Sequence, residues 1–300
     1  MGDATVSNDM IFFQKTKREK LRKQLLDDGF TSHNIDLGDG ISTMDTARQP
    51  LITNLTITSA IKDFFQLSGF EKKCSTLRLL DLGCLEGGFT LEFANYGLKE
   101  AIGVEGRQSN FQKCLHVAEY FEKPNLAYWH LDVKALSPEK HGKFDVILCL
   151  GILYHLDNPV VFLRKLRQLL SPGGLLFIDT HHAPRTPQDL EEFVYKDRYK
   201  DREIVPFELD GKIYEGRWWY EYEAGKPEHE QHAWDAVSNW RSFVLTYHSL
   251  ASALNDSGFS RLYRLPFGDV LWEAREGFKM YRTWLIGLPN DYFPTDKNII

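Results

Sequence analysis

Short apolar runs alternate with amphipathic stretches through the middle third of the chain. The apolar runs predict five strands, at about residues 78–82, 101–104, 126–130, 144–150 and 175–180. Apolar residues at helical spacing predict the intervening helices, at about residues 89–96, 109–121 and 159–170. This alternation is typical of βαβ units, so the pattern predicts an α/β fold with a parallel sheet.

The alternation stops after residue 180. Residues 183–240 carry eleven aromatic residues in 58, with 14 acidic and 8 basic residues. Because that acid content is too high for an ordinary core segment, we interpret the stretch as an inserted cap. A helical stretch at 247–254 then precedes two strand-like runs, RLYRL and KMYRTWLIGL. We expect these runs to complete the sheet as a hairpin-like pair.

These patterns divide the chain into four parts. We expect an N-terminal helical extension or lid at residues 1–70, a sheet-bearing core at 71–182, the cap at 183–240, and the remainder of the core with its closing strands at 241–300. Asn158 before Pro159 is typical of a helix start. The SPGG that follows this helix is expected to end it and to turn the chain into the next strand.

Composition narrows the class of protein. An apolar content of 43% in 300 residues supports a folded core, and no apolar run reaches the roughly 18 residues of a membrane span. The opening MGDATVSNDM lacks the basic and apolar regions of a secretory signal. We therefore expect a soluble, cytoplasmic protein. Its four cysteines include no CxxC pair, so we expect free thiols.

The net charge of −6 is unevenly distributed along the sequence. The excess of acidic residues in the cap segment accounts for all of it, so the rest of the chain is balanced. In contrast, residues 15–23 contain six basic residues and one acidic residue. A solvated helix face explains this basic segment, and a lid helix that closes over a ligand is the alternative.

The first predicted strand ends in a glycine-rich turn, in the sequence LLDLGCLEGGF at residues 79–89. A turn of this kind before a helix presents backbone N–H groups and the positive helix end to a ligand. The dinucleotide pattern GxGxxG is not met, because Leu85 stands at its second glycine. Asp81, just before the first glycine, would repel a pyrophosphate but would accept a cationic or zwitterionic ligand.

Two more acidic residues end the next two predicted strands. Glu105 follows Asp81 by 24 residues, where an acidic side chain can accept both hydroxyls of a ribose. Asp132 ends the third strand, where it could bind an exocyclic adenine amine. Open α/β folds bind ligands at the carboxyl edge of the sheet, so together the three acids predict a nucleoside site there.

These motifs resemble the class I S-adenosylmethionine-dependent methyltransferases. DLGCLEGG is similar to the first motif of that family, GVEGR to its second-strand acid, LDV to its third, FDVILCLGILYHL to its fourth, and LLSPGGLLFIDT to its strand-five motif. The resemblance implies a Rossmann-like seven-stranded methyltransferase sheet and S-adenosylmethionine as cofactor. The cofactor-binding residues that it implies are Asp81, Gly83, Cys84, Gly87, Glu105, Gly106, Arg107, Asp132, Val133 and Leu150.

A narrower similarity involves SHNIDLGDGISTM at residues 32–44 and LGILYHLDNP at 150–159. Both resemble the branch related to the tRNA wobble-uridine methoxy and carboxymethoxy synthases. Enzymes of that branch that take carboxylated S-adenosylmethionine commonly carry an arginine directly after the YH pair. This chain has Leu156 there, which argues against carboxyl transfer.

Methyl transfer from a sulfonium needs alignment and, for a hydroxyl or protonated amine, a general base. His155, just past strand four, is the first candidate base, with Tyr154 as a positioning hydroxyl. His181 and His182, just past strand five, are the second candidates. The structural alternative is that these histidines only pack or bond to backbone groups. His229 and His232 allow a metal site to be drawn, but an acidic loop produces such strings readily, so no metal is predicted.

We expect a methyltransferase acting at oxygen or nitrogen of a small, aromatic or amine-bearing acceptor, with the cap selecting that acceptor. A tRNA wobble-uridine enzyme is the second hypothesis, supported by the basic segment at 15–23 and opposed by the acidic cap. A non-catalytic cofactor-binding partner subunit is the third. No membrane association is expected, and the oligomeric state stays undetermined.

Overall fold

The structure is a computed structural model that describes residues 8–44, 51–224, 234–265 and 281–291. The candidate metal ligands His229 and His232 lie outside the described residues. The strands are β1 (Asp36–Gly38), β2 (Ile41–Ser42), β3 (Arg78–Leu82), β4 (Glu100–Glu105), β5 (Leu126–His130), β6 (Phe144–Leu150), β7 (Leu170–His181), β8 (Val205–Leu209), β9 (Lys212–Tyr220), β10 (Arg241–Leu245), β11 (Arg261–Arg264) and β12 (Arg282–Leu288). The α-helices are α1 (Asn8–Asp27), α2 (Leu51–Leu67), α3 (Gly88–Asn95), α4 (Gln108–Phe121), α5 (Pro138–His141), α6 (Pro159–Leu169), α7 (Pro187–Glu191) and α8 (Tyr247–Asp256).

Seven of the described strands form one sheet, in the order β5-β4-β3-β6-β7-β12-β11. The strands from β5 to β7 run parallel, whereas β12 is antiparallel to β7 and β11 is antiparallel to β12. Strand β3 is central, and its Leu79, Leu80 and Leu82 are completely buried because helices cover both faces of a parallel sheet. The predicted α/β fold and its closing antiparallel pair are confirmed.

The connection from α6 to β7 differs from the sequence prediction. Asn158 caps α6 as expected, accepting the backbone N–H of Val161 at 3.0 Å. However, the helix ends at Leu169, and β7 begins at Leu170 rather than at about residue 175. Leu170 pairs with Phe144, and the register then shifts. The SPGG segment therefore forms a bulge within the strand, because the pairing resumes beyond it.

The N-terminal helix α1 packs against α4 and uses part of the basic segment for this contact. Lys17 lies 3.3 Å from a carboxylate oxygen of Glu122, directly after α4, and Arg22 donates to the hydroxyl of Tyr120 in α4 at 3.3 Å. The remaining basic side chains of the segment include three exposed lysines, at positions 15, 20 and 23. Part of the segment therefore holds the extension in place, and part forms the solvated face that the sequence predicts.

Strands β8, β9 and β10 form a second, antiparallel sheet in the order β10-β9-β8. The third of these strands, β10, lies beyond the expected cap boundary at residue 240, so the added layer includes five residues that the sequence pattern placed with the core. The backbone N–H of Phe243 in β10 donates to the carbonyl of Leu156, just after β6, at 2.8 Å. The cap sheet is thereby bonded to the core beside the end of a central strand.

Within the described ranges, no helix is both long enough and apolar enough to cross a membrane. All four cysteines are free, as predicted, and all four are buried. The Sγ atoms of Cys84 and Cys114 lie 3.8 Å apart. Burial raises the pKa of both thiols, which keeps them protonated.

Candidate active site

A cavity of about 570 Å³ lies where the carboxyl ends of the parallel strands meet the cap. One side is lined by the turns that follow β3, β4 and β5. The other side is lined by the segment after β6, by the end of β7 and by cap residues. Ligands of open α/β sheets occupy this edge, and the cavity is large enough for a drug-sized molecule.

The glycine turn after β3 depends on its missing side chains. Gly83 has φ of 61°, and a Cβ there would collide with the side chain of Ile152. Gly87 has φ of 80° and caps α3, and a Cβ there would lie 2.6 Å from the hydroxyl of Tyr128. Between them, Leu85 adopts φ of 49°, which is a strained conformation for a residue with a side chain.

Glu105 joins this turn to the end of β4. One of its carboxylate oxygens accepts the backbone N–H of Leu85 at 3.0 Å, and the other accepts that of Arg107 at 2.7 Å. The side chain is buried at the cavity wall. Burial raises the pKa of Glu105, and the N–H of Arg107 opposes that rise. Asp132, after β5, accepts the N–H of Lys134 at 2.8 Å and also lines the cavity.

Seven of the ten predicted cofactor-binding residues line this cavity. They are Gly83, Glu105, Gly106, Arg107, Asp132, Val133 and Leu150. Asp81, Cys84 and Gly87 do not line it. Asp81 accepts the hydroxyl of Thr90 at 2.7 Å instead, and burial raises its pKa to about 7. The role that the sequence assigns to these three residues stays a prediction.

The sequence analysis missed an N-terminal strap, residues 31–33, which forms part of the wall. The carboxylate of Glu86 in the glycine turn is buried and accepts the backbone N–H groups of Thr31 (2.7 Å), Ser32 (2.9 Å) and His33 (2.9 Å). The Lys113 ammonium lies 2.9 Å from the same carboxylate. The one sequence feature that pointed to this region was the resemblance of the SHNIDLGDGISTM segment to a methyltransferase branch. That resemblance did not predict a contact between the strap and the glycine turn.

Three of the four candidate catalytic residues line the cavity, namely Tyr154, His155 and His181. The ring of Tyr154 lies 4.2 Å from that of His155 and 4.6 Å from that of His181. His182 does not line the cavity, because its ring packs against Tyr247 and Tyr281. Burial lowers the pKa of His182 to about 4. The structure therefore brings Tyr154, His155 and His181 together at the cavity but not His182, and the catalytic role of all four stays a prediction.

His155 is paired with an acidic residue of the cap. Its Nδ1 lies 3.0 Å from each carboxylate oxygen of Glu221, whose side chain has no exposed surface. Glu221 follows the last residue of β9 and also accepts the hydroxyl of Ser242 and the N–H of Ala236. Sequence reasoning missed Glu221 because it is one of many acids in the cap.

Arginines and aromatic rings that the sequence did not single out complete the acceptor side. Arg282 donates to both carboxylate oxygens of the buried Asp179 and is itself half-buried. Arg198 lies 3.0 Å from Asp235, with its guanidinium over the ring of Trp219. These two pairs line the cavity, so Arg198 and Arg282 already have acidic partners. Across the described residues, no cluster of His, Cys, Asp or Glu is arranged to hold a metal ion.

Comparisons with known proteins identify relatives of this chain. A family model described as a methyltransferase domain matches residues 53–262. A tRNA U34 carboxymethyltransferase of Campylobacter curvus (strain 525.92) is 36% identical over 106 residues, 33% of each chain. A ubiquinone biosynthesis O-methyltransferase of Albidiferax ferrireducens (strain ATCC BAA-621 / DSM 15236 / T118) is 32% identical over 111 residues, 36% of this chain and 43% of that protein. The matches thus span less than half the length of these curated relatives.

A solved structure extends the comparison to nearly the whole fold. The N-terminal domain of EvdMO1, crystallised in the presence of SAH and D-fucose, superposes with a TM-score of 0.63 at 18% identity. The alignment covers 91% of this chain and 97% of that one. At this identity the likeness establishes a shared fold.

Proposed function

This chain belongs to the methyltransferase domain family, and we propose that it transfers a methyl group from S-adenosylmethionine to a hydroxyl oxygen of a small acceptor. The observation that carries the proposal is the cavity that extends from Glu105 and Asp132 to the His155–Glu221 pair. One end of it suits a nucleoside, and the other end holds a candidate base.

The residues at the nucleoside end fit S-adenosylmethionine. Glu105 would accept the ribose hydroxyls, since its carboxylate is already held in place by two backbone N–H groups. Asp132 and Val133 would border the adenine, and Gly83 lines the same end of the cavity. The bound cofactor supplies an activated methyl group on a positively charged sulfur.

The other end of the cavity suits deprotonation of a hydroxyl. His155 lies after β6, with its ring beside Tyr154 and its Nδ1 against Glu221. The remaining ring nitrogen, Nε2, can accept a proton from the acceptor. The aromatic wall of Tyr154, His181 and Trp219 favours a planar acceptor.

The charges at the cavity support a small acceptor and the ordinary methyl donor. Arg198 and Arg282 are paired with acids, and Lys134 is close to Asp157 and Asn239. Leu156 is buried where an arginine would meet a carboxylated donor. Each of these observations argues against recognition of an additional negative charge at the site.

A tRNA wobble uridine is the second candidate acceptor. The similarity to the Campylobacter curvus protein favours it, as do the three exposed lysines of α1. A non-catalytic, cofactor-binding partner subunit is the third possibility, and it requires that the His155–Glu221 pair be structural only.

Incubation of the protein with S-adenosylmethionine labelled on the methyl group, in the presence of metabolite and tRNA fractions, separates these possibilities. We expect label in the metabolite fraction. His155→Asn should lower kcat about 100-fold, with S-adenosylhomocysteine affinity unchanged in calorimetry. Label in tRNA would overturn the small-acceptor proposal. Intact cofactor binding with no label in either fraction would support the partner-subunit role.

A further inference from the structure

The carboxylate of Glu221 is a buried charge with an unusual set of partners. Its side chain has no exposed surface, and its hydrogen-bond donors are the hydroxyl of Ser242, the N–H of Ala236 and the imidazole of His155. Arg198 bonds the backbone carbonyl of Glu221 at 2.7 Å. Among the described residues, no lysine or arginine forms an ion pair with this carboxylate. A buried carboxylate is costly without compensation, so the imidazole is an important partner.

This pairing determines which nitrogen of His155 carries a proton. Nδ1 lies 3.0 Å from both carboxylate oxygens, and an ionised carboxylate only accepts hydrogen bonds, so Nδ1 carries the hydrogen. The lone pair of the neutral ring is then on Nε2. The backbone of His155 is fixed as well, because its N–H donates to Ile152 and its carbonyl accepts the side chain of Asn239 at 3.1 Å.

We propose that Glu221 is a positioning residue for methyl transfer, contributed by the cap, and that it holds His155 with Nε2 available as the base. This inference rests on the proposed function. The hydroxyl O–H bond of the acceptor breaks, and its proton moves to Nε2. The acceptor oxygen forms a bond to the methyl carbon while the carbon–sulfur bond breaks, and that electron pair goes to sulfur. The imidazolium that results is stabilised by the charge of Glu221.

The position of Glu221 links acceptor binding to base formation. The backbone N–H of Glu221 donates to Trp240 at 3.0 Å, directly beside the pairing of β9 with β10. The same β9 carries Trp219, which lines the cavity. The cap therefore supplies both a wall of the acceptor site and the partner of the base.

Two measurements on Glu221→Gln test the proposal, with Glu215→Gln as the matched control. Glu215 lies on β9, the strand that Glu221 directly follows, and it is exposed. The first measurement is kcat and KM with S-adenosylmethionine and simple phenols as probe acceptors. For Glu221→Gln we expect kcat to fall about 30-fold with KM within about threefold of the wild type. Glu221→Asp should recover part of the loss, and the control should match the wild type.

The second measurement is independent of any acceptor. Nitrogen-15 NMR of the imidazole, assigned by its loss in His155→Asn, should show the Nδ1–H tautomer in the wild type and a mixture in Glu221→Gln. An Nε2–H tautomer in the wild type, or unchanged kcat in Glu221→Gln, would overturn the proposal. If no phenol is methylated by the wild type, the proposed function is in question, while the tautomer still decides whether Glu221 positions His155.

Discussion

His33 and Glu86 each form a hydrogen bond with the backbone of the segment that carries the other residue. The carboxylate of Glu86, in the glycine turn, accepts the backbone N–H of His33 at 2.9 Å. The Nδ1 of His33 accepts the backbone N–H of Gly88, in the same turn, at 3.0 Å. Both side chains are buried. The N-terminal strap and the glycine turn therefore form one hydrogen-bonded unit at the cavity wall.

Removal of the carboxylate should release the strap. Glu86→Ala leaves three backbone N–H groups without their acceptor and Lys113 without its carboxylate partner, so we expect a loss of about 3 kcal/mol in the free energy of unfolding, measured in urea. The exposed pair of Glu122 with Lys17 provides the control, since Glu122→Ala should cost under about 1 kcal/mol. Equal urea midpoints for the two variants would contradict the anchoring role of Glu86.

The strap should weaken in acid. Burial lowers the pKa of His33 to about 4, whereas the pKa of a histidine in an unfolded chain is about 6.5. The unfolded state therefore binds more protons between these values, so the stability contributed by neutral His33 is complete above pH 6.5 and declines as the pH falls toward 4. Urea unfolding at several pH values should show a shallower decline in His33→Gln than in the wild type.

His182 has to be controlled for in that experiment, because burial also lowers its pKa to about 4. The contribution of neutral His182 to stability also declines as the pH falls, but His182 lies outside the cavity. The double variant should therefore have the shallowest decline. Identical slopes for the wild type and His33→Gln would show that His33 is not held neutral by the fold.

Asp81 should have the opposite effect on the pH dependence of stability. Burial raises its pKa to about 7, above the value of about 4 in an unfolded chain, so the folded state binds more protons and the cost of this carboxyl is greatest above pH 7. We expect Asp81→Asn to stabilise the protein, and to do so more at pH 8 than at pH 5. Calorimetry with S-adenosylhomocysteine tests the separate prediction that Asp81 binds the cofactor, which a tenfold loss of affinity would support.

Glu105 should be needed for the cofactor and for the shape of the turn. Glu105→Ala removes the expected ribose acceptor together with the acceptor of the Leu85 and Arg107 N–H groups. We expect at least about a tenfold loss of S-adenosylhomocysteine affinity in calorimetry. Glu105→Gln keeps one acceptor oxygen and should lose less. Unchanged affinity in both variants would refute the assignment.

The ion pair of the buried Asp179 with the half-buried Arg282 should be important for folding. Arg282→Met leaves the carboxylate of Asp179 without its cation, and we expect a loss of about 3 to 5 kcal/mol in the free energy of unfolding. Asp179→Asn combined with Arg282→Met should recover part of that loss. A double variant as unstable as Arg282→Met would mean that packing, rather than charge, dominates at this position.

The sheet could be predicted from the sequence because its strands are buried on both faces. Runs such as residues 78–82 and 144–150 are nearly continuous in apolar residues, and helical patterns separate them. Glu105 and Asp132 were predicted to lie at the carboxyl edge of the sheet because each stands at or just after the end of an apolar run that predicts a strand. The bulge at SPGG was missed, since its turn residues suit a loop and a bulge equally.

The contacts between distant segments could not be predicted in this way. His155 and Glu221 are separated by 66 residues, and nothing in the local pattern distinguishes Glu221 from the other cap acids. Glu86 and the strap are separated by more than 50 residues. Glu86 was identified only as a part of the glycine motif, because its main partners on the strap side are backbone N–H groups, which every residue type except proline supplies.

Residues 31–33 are held by their backbone N–H groups, so their side chains contribute less to the attachment of the strap. Because Glu86 binds their main chain, substitutions at Thr31 and Ser32 other than proline leave the principal bonds in place. Evolution or an engineer can therefore vary these two positions and remodel the rim of the pocket, while the attachment depends on Glu86 and on the side chain of His33.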